Sequence, residues 1–95
     1  MIIERWTYKV KVGYRDEIIK VVKAAVEEAG LMPRVCSFEY GPIDVVIVDN
    51  EYESREAMDK SVAVRHDKGG PALTEWVKKR RELVVSETLE LLKVH

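Results

Sequence analysis

From Ile2 to Val12 the apolar residues fall at every second position, and from Asp16 to Ala29 they fall at helical spacing. In the first stretch Trp6, Tyr8, Val10 and Val12 alternate with Arg5, Thr7, Lys9 and Lys11. A period of two predicts a strand with one buried face. In the second, Ile18, Ile19, Val21, Val22, Ala25, Val26 and Ala29 form an apolar stripe, while Glu17, Lys20, Lys23, Glu27 and Glu28 take the other side. That pattern predicts an amphipathic helix packed on the strand. Asp16 is placed as its N-cap or in its first turn, and Gly30 with Pro33 ends it.

The remaining segments follow the same logic. Arg34 to Tyr40 alternates, with Cys36, Phe38 and Tyr40 on one face and Val35, Ser37 and Glu39 on the other. Gly41-Pro42 punctuates a hairpin. Asp44 to Asp49 encloses four consecutive aliphatics, Val45 to Val48, which predicts a central strand buried on both faces. Ser54 caps a helix over 55–65, with Ala57, Met58, Val62 and Ala63 inward. His66 to Gly70 reads as a loop. Pro71 opens a helix to about Glu82, with Leu73, Trp76, Val77 and Arg80 on one side. Leu83 to Val94 closes the chain as a strand, with Leu83, Val85, Leu89 and Leu91 on one side and Val84, Leu92 and Val94 on the other.

The order is β-α-β-β-α-α-β in 95 residues, which fits one domain over 1–95. This is the ferredoxin-like βαββαβ pattern: an antiparallel four-stranded sheet with helices on one face. Right-handed crossovers set the strand order as fourth, first, third, second. The other sheet face then needs a partner or water. It carries Arg5, Thr7 and Lys9, with Ser37, Glu39, Ser86, Thr88 and Glu90 as further candidates. Three readings stay open for it: a solvated face, a polar homodimer interface whose ion pairs fix the register, or a ligand chamber between two sheets. A homodimer is the expected assembly.

Charge excludes other classes. Sixteen Lys+Arg against seventeen Asp+Glu leave a net charge of -1, so no nucleic-acid partner is expected. The basic run Lys78-Lys79-Arg80-Arg81 is bracketed by Glu75 and Glu82 and reads as a solvated helix end. The apolar runs are too short for a membrane span. No long apolar core follows Met1, and the single Cys36 suits a reducing compartment, so a cytoplasmic location is expected. With one Asn and no Gln, the composition points to a thermophilic source. Two His and one Cys at distant positions give no metal-ligand spacing, and no cofactor is expected.

For chemistry, His66 is the natural acid-base candidate. Tyr8, Tyr40 and Trp76 are the candidate walls of a ligand pocket between sheet and helices, with His66 at its mouth. Cys36 reads as a small buried hydrophobe rather than a nucleophile, and His95 as a frayed terminus. Gly69-Gly70-Pro71 ahead of a helix is a weak anion-site signal.

The run Gly13-Tyr14-Arg15-Asp16-Glu17 into a helix, the hairpin around Gly41, the helix led by Tyr52-Glu53-Ser54-Arg55-Glu56 and the late Trp76 together resemble the dimeric α+β barrel superfamily. Its NIPSNAP-like and antibiotic-biosynthesis-monooxygenase-like branches are the most similar. The resemblance implies a homodimer whose sheets face each other as a barrel. The superfamily includes cofactor-free monooxygenases, so the alternative to an assembly or small-molecule-binding module is such an enzyme, acting on a small aromatic or polyketide-like substrate. Its haem-degrading branch uses an Asn, a Trp and a His. Here no His follows Trp76 through Arg81, and the sole Asn, Asn50, stands elsewhere, so that triad is not carried over.

Overall fold

The computed structural model describes residues 1–67 and 69–95, with side chains at 1–63 and 69–95. The chain forms β1 (Ile2–Val10), α1 (Arg15–Glu28), β2 (Arg34–Ser37), β3 (Val45–Tyr52), α2 (Arg55–Asp67), α3 (Pro71–Leu83) and β4 (Val84–Lys93). The sheet order is β2-β3-β1-β4, every pair antiparallel. This is the expected ferredoxin-like α+β arrangement.

The helices lie on the sheet face that carries Tyr8, Val10, Val46 and Val48. Those four side chains and Ile18, Val22, Ala25 and Val26 of α1 form one buried cluster with Trp76 and Leu83 of α3. Ile18 and Val46 are fully enclosed. Each such aliphatic stabilises the fold by about 1.5–3 kcal/mol. The ends of α1 follow from local chemistry. Tyr14 is the N-cap and Asp16 lies in the first turn, beside the positive end of the dipole. At the far end Gly30 takes φ +80°, its N–H donates to Glu27 O, and Leu31 N–H donates to Val26 O. This is a Schellman closure, and the left-handed turn is why a glycine stands there. Ser54 does cap α2: its Oγ accepts from Ala57 N–H at 3.1 Å.

Several strand assignments need correction. β1 stops at Val10, so Val12 is exposed. β2 stops at Ser37, and Phe38 and Tyr40 leave the sheet. Cross-strand partners share a face, and Ser37 pairs with Val46 while Cys36 pairs with Ile47. Ser37 is therefore on the helix side, and Cys36 is on the uncovered side. Ala63 is exposed and Val77 is only partly covered, so neither belongs to the core. In β4 a bulge intervenes. Val10 pairs with Val84 while Lys9 pairs with Ser86, leaving Val85 as the extra, exposed residue. One extra residue shifts the alternation by one. Val84 thus joins Leu89 and Leu91 on the helix side, not Leu92. α3 runs straight into β4, which begins at Val84 rather than Leu83.

α1 and α3 are tied together at both ends. Lys79 Nζ meets Glu17 Oε1 at 2.8 Å. At the other end the Glu28 carboxylate accepts from Ala72 N–H (3.3 Å) and Leu73 N–H (3.0 Å), capping α3 from another helix. A Cβ on Gly70 would lie 2.2 Å from Glu28 Oε1. The substitution Gly70→Ala is therefore expected to push the carboxylate off both N–H groups, at a cost of about 1–2 kcal/mol, the usual worth of an N-cap. In a Glu28→Ala background the same substitution should cost much less, because the two share one contact. Urea unfolding of the four chains measures this, and additive costs would count against the shared cap.

Candidate functional site

On the helix side, β1 and α3 bring aromatic rings together. Trp6 and Tyr8, two residues apart on one strand face, stack with centroids 6.0 Å apart. The Trp76 ring meets Tyr8 edge-on at 5.2 Å. Arg80, one turn beyond Trp76, sets its guanidinium 5.9 Å from the Trp6 ring centre and pairs with Glu87 of β4, its Nε donating to Oε2 at 2.9 Å and its Nη2 to Oε1. Glu87 is the cross-strand partner of Tyr8. The hydrogen bond to Glu87 raises the Arg80 pKa above its ordinary value, against the opposing effect of burial. Beside this pair, between α3 and β4, lies an open groove of about 450 Å³ lined by Val77, Arg80, Val84, Val85 and Glu87 among others.

Two of the four expected pocket residues, Tyr8 and Trp76, thus meet. They do so within the buried cluster, 4% and 7% exposed. Tyr40 does not join them. It lies past the end of β2, 96% exposed, because alternation in 34–40 outlasts the strand that it predicts. The His66 backbone falls in α2, not in a loop, and its side chain lies outside the described residues. His95 is exposed at the terminus. The weak anion-site signal ahead of α3 corresponds to N–H groups that the chain's own Glu28 carboxylate takes up. Among the described residues no group of three or more His, Cys, Asp and Glu gathers to hold a metal ion. No helix among them is long and apolar enough to cross a membrane.

Two polar sets stand out, the first of which the sequence reading missed and the second of which it saw only in part. The first is buried: Glu4 and Asn50 face each other on the helix side, 4% and 3% exposed, with Asn50 Nδ2 donating to Glu4 Oε1 at 3.4 Å. Asn50 lies within β3 rather than after it. The pair was visible only as polar residues at inward positions of two alternating stretches.

The second set lies on the uncovered face. Register aligns Arg34 with Asp49, Asp49 with Arg5, and Arg5 with Glu90. A row of four charges, plus-minus-plus-minus, therefore crosses the whole sheet. At its centre Arg5 and Asp49 form a bidentate pair, Nε to Oδ1 and Nη2 to Oδ2, both 2.9 Å. Asp49 is only 6% exposed although no helix covers it, while the Arg5 side chain keeps 38% of its surface open. Asp49 holds the Arg5 pKa above its ordinary value, first by the hydrogen bonds and then by charge, with Glu90 adding to it. Its charge is therefore fixed at any pH of interest. On one side the row is flanked by Cys36, Ile47, Thr7 and Thr88, on the other by Glu51, Ile3 and Leu92. This is the polar face expected from Arg5, Thr7, Lys9, Ser86, Thr88 and Glu90, with Asp49 and Arg34 added, Ser37 removed to the helix side and Glu39 removed because β2 ends before it.

No family model and no curated protein sequence matches the chain. Solved structures do. An uncharacterized NIPSNAP domain protein from Burkholderia xenovorans superposes with a TM-score of 0.80 at 13% identity, covering 100% of this chain and 95% of that one. A NIPSNAP family protein with unknown function from Agrobacterium tumefaciens gives 0.78 at 21% identity, covering 99% and 87%. An antibiotic biosynthesis monooxygenase gives 0.69 at 15% identity, covering 100% and 99%. The fold is thus the one that the sequence resemblance implied. At these identities the likeness is one of fold.

Proposed function

We propose that this chain is an assembly module that works as a homodimer, closing its uncovered sheet face on a second copy. The charge row carries the reading. A strand face destined for water has no need to hide Asp49 to 6% exposure or to order four charges in alternating sign. The Arg5–Asp49 pair and the Arg34–Glu51 pair, 3.6 Å apart, set among Ile3, Ile47 and Leu92, make a polar surface of fixed pattern, the kind that specifies one partner. The NIPSNAP-like fold supports the same reading, since it leaves one face of the sheet bare.

Catalysis by the expected residues has less behind it. Tyr8 and Trp76 pack as core, Tyr40 stands in solvent, and a monooxygenase-like activity would rest on fold alone.

Light scattering on the purified chain tests the proposal. The expected result is a particle of twice 10.9 kDa. Thr7→Arg, at the half-buried middle of the bare face, should give a folded monomer by the same measurement with unchanged circular dichroism. A wild-type chain that stays monomeric at high micromolar concentration would refute the reading.

A further inference from the structure

We infer that the groove between α3 and β4 is a binding site for a small aliphatic monocarboxylate, held by Arg81 at its charged end and by Val77, Val84 and Val85 along its chain. The groove is formed against α3, whereas the charge row lies on the opposite face of the sheet, so this inference does not depend on the homodimer reading.

Two successive arginines in the last turn of α3 have different surroundings. Arg80 is engaged within the fold: Glu87 accepts from its Nε and Nη2, and the Trp6 ring lies under its guanidinium. Arg81 lines the same groove, and among the described residues its guanidinium makes no ion pair and no hydrogen bond. Arg80 and Glu87 cancel, so the formal charge of the groove is that of Arg81. The negative end of the α3 dipole, about half a charge, reduces this field without reversing it. The rest of the wall is apolar. Val77 and Val85 keep 36% and 61% of their surface open, and Val84 is half-buried beside them. Val85 stands out of the ladder because it is the extra residue of the β4 bulge, and a bulge re-aims the side chain that it carries. β4 is also an outer strand, so backbone N–H groups along its open edge have no ladder partner and can donate to a second carboxylate oxygen.

These walls select the ligand. A carboxylate matches the fork of a guanidinium through two parallel hydrogen bonds. A phosphate carries more charge and calls for a second cation, and the second cation here is already held by Glu87. An aliphatic chain attached to the carboxylate covers the valine surfaces and removes them from water. The volume of about 450 Å³ falls within the range of small-molecule sites. Because the groove is open, it covers only part of such a ligand, and the expected affinity is in the millimolar to high micromolar range.

Octanoate is the probe, followed by two-dimensional NMR of the backbone amides of the full chain. The expected result is a saturable set of shifts at Val77, Arg81, Val85 and Ser86, with the amides of Arg5, Arg34 and Asp49 unmoved. Octanamide, which has the same chain and no charge, should bind about tenfold more weakly, and sulfate alone should give no saturable shifts. Arg81→Gln should weaken octanoate about tenfold and leave octanamide unchanged. Arg81 is exposed and outside the core, so this variant keeps the fold. Val85→Ser should weaken both probes. Octanoate shifts that survive Arg81→Gln, shifts centred on the exposed Leu89, Leu91 and Leu92 instead, or no saturable shifts in the millimolar range overturn the inference. Light scattering reads the association of two copies separately, so a failure here leaves the homodimer reading standing, and a monomer leaves this site standing.

Discussion

Trp76→Ala should bring the chain close to unfolding, with an expected loss of about 3–5 kcal/mol, the range for removing a buried large aromatic. Domains of this size have about 5–15 kcal/mol to lose. The cost is large because Trp76 does three things from one position. It closes the helix layer over Tyr8 by an edge-on ring contact, it belongs to the buried cluster that joins α1, α3 and the sheet, and it stands one turn before Arg80, whose guanidinium rests over Trp6. Trp76→Phe keeps an edge for Tyr8 and should cost less than half as much. Equilibrium denaturation at fixed protein concentration measures both. A loss under about 1.5 kcal/mol for the alanine variant would mean that the site collapses around the gap, and that Trp76 lines a space rather than fills one.

The second large effect concerns the centre of the charge row. Asp49→Leu should destabilise the chain by about 1.5–3 kcal/mol, because it removes two hydrogen bonds to a charged group and leaves Arg5 without its carboxylate. The partial exposure of Arg5 keeps the figure below that of a fully enclosed pair. Arg5→Met with Asp49→Leu should recover most of the loss, since a pair replaced by apolar chains of similar size is often neutral. If the chain pairs through this face as proposed, the double variant also loses selectivity of association, because the two middle charges of the row are gone. Unfolding curves of the two single variants and the double complete the cycle. A double variant as weak as the single one would show that Asp49 acts through packing rather than through Arg5.

Much of the architecture was written in local patterns. The shift from period two at Trp6–Val10 to helical spacing at Ile18–Val26 located the first strand and helix within two residues at most boundaries. Chain chirality then ordered the strands. The site was less legible. Tyr8 and Trp76 were expected to meet and do. Their aromatic character, however, looks the same in a pocket wall as in a core, and only burial distinguishes the two. Tyr40 failed because alternation extends past the last hydrogen-bonded residue of β2.

The sequence by itself determined the elements, their order and which face of β1 the helices would cover, because these follow from the spacing of apolar residues along a few turns or pleats. Only the tertiary structure decided the register. Asp49 stands 44 residues from Arg5 in the chain and is hydrogen-bonded to it in the sheet, and no local period encodes that alignment. The Val85 bulge, the Glu28 cap on α3 and the alternating charge row share this property. Each arises where segments distant in sequence are brought to one place, and a displacement of one residue in pairing would undo it.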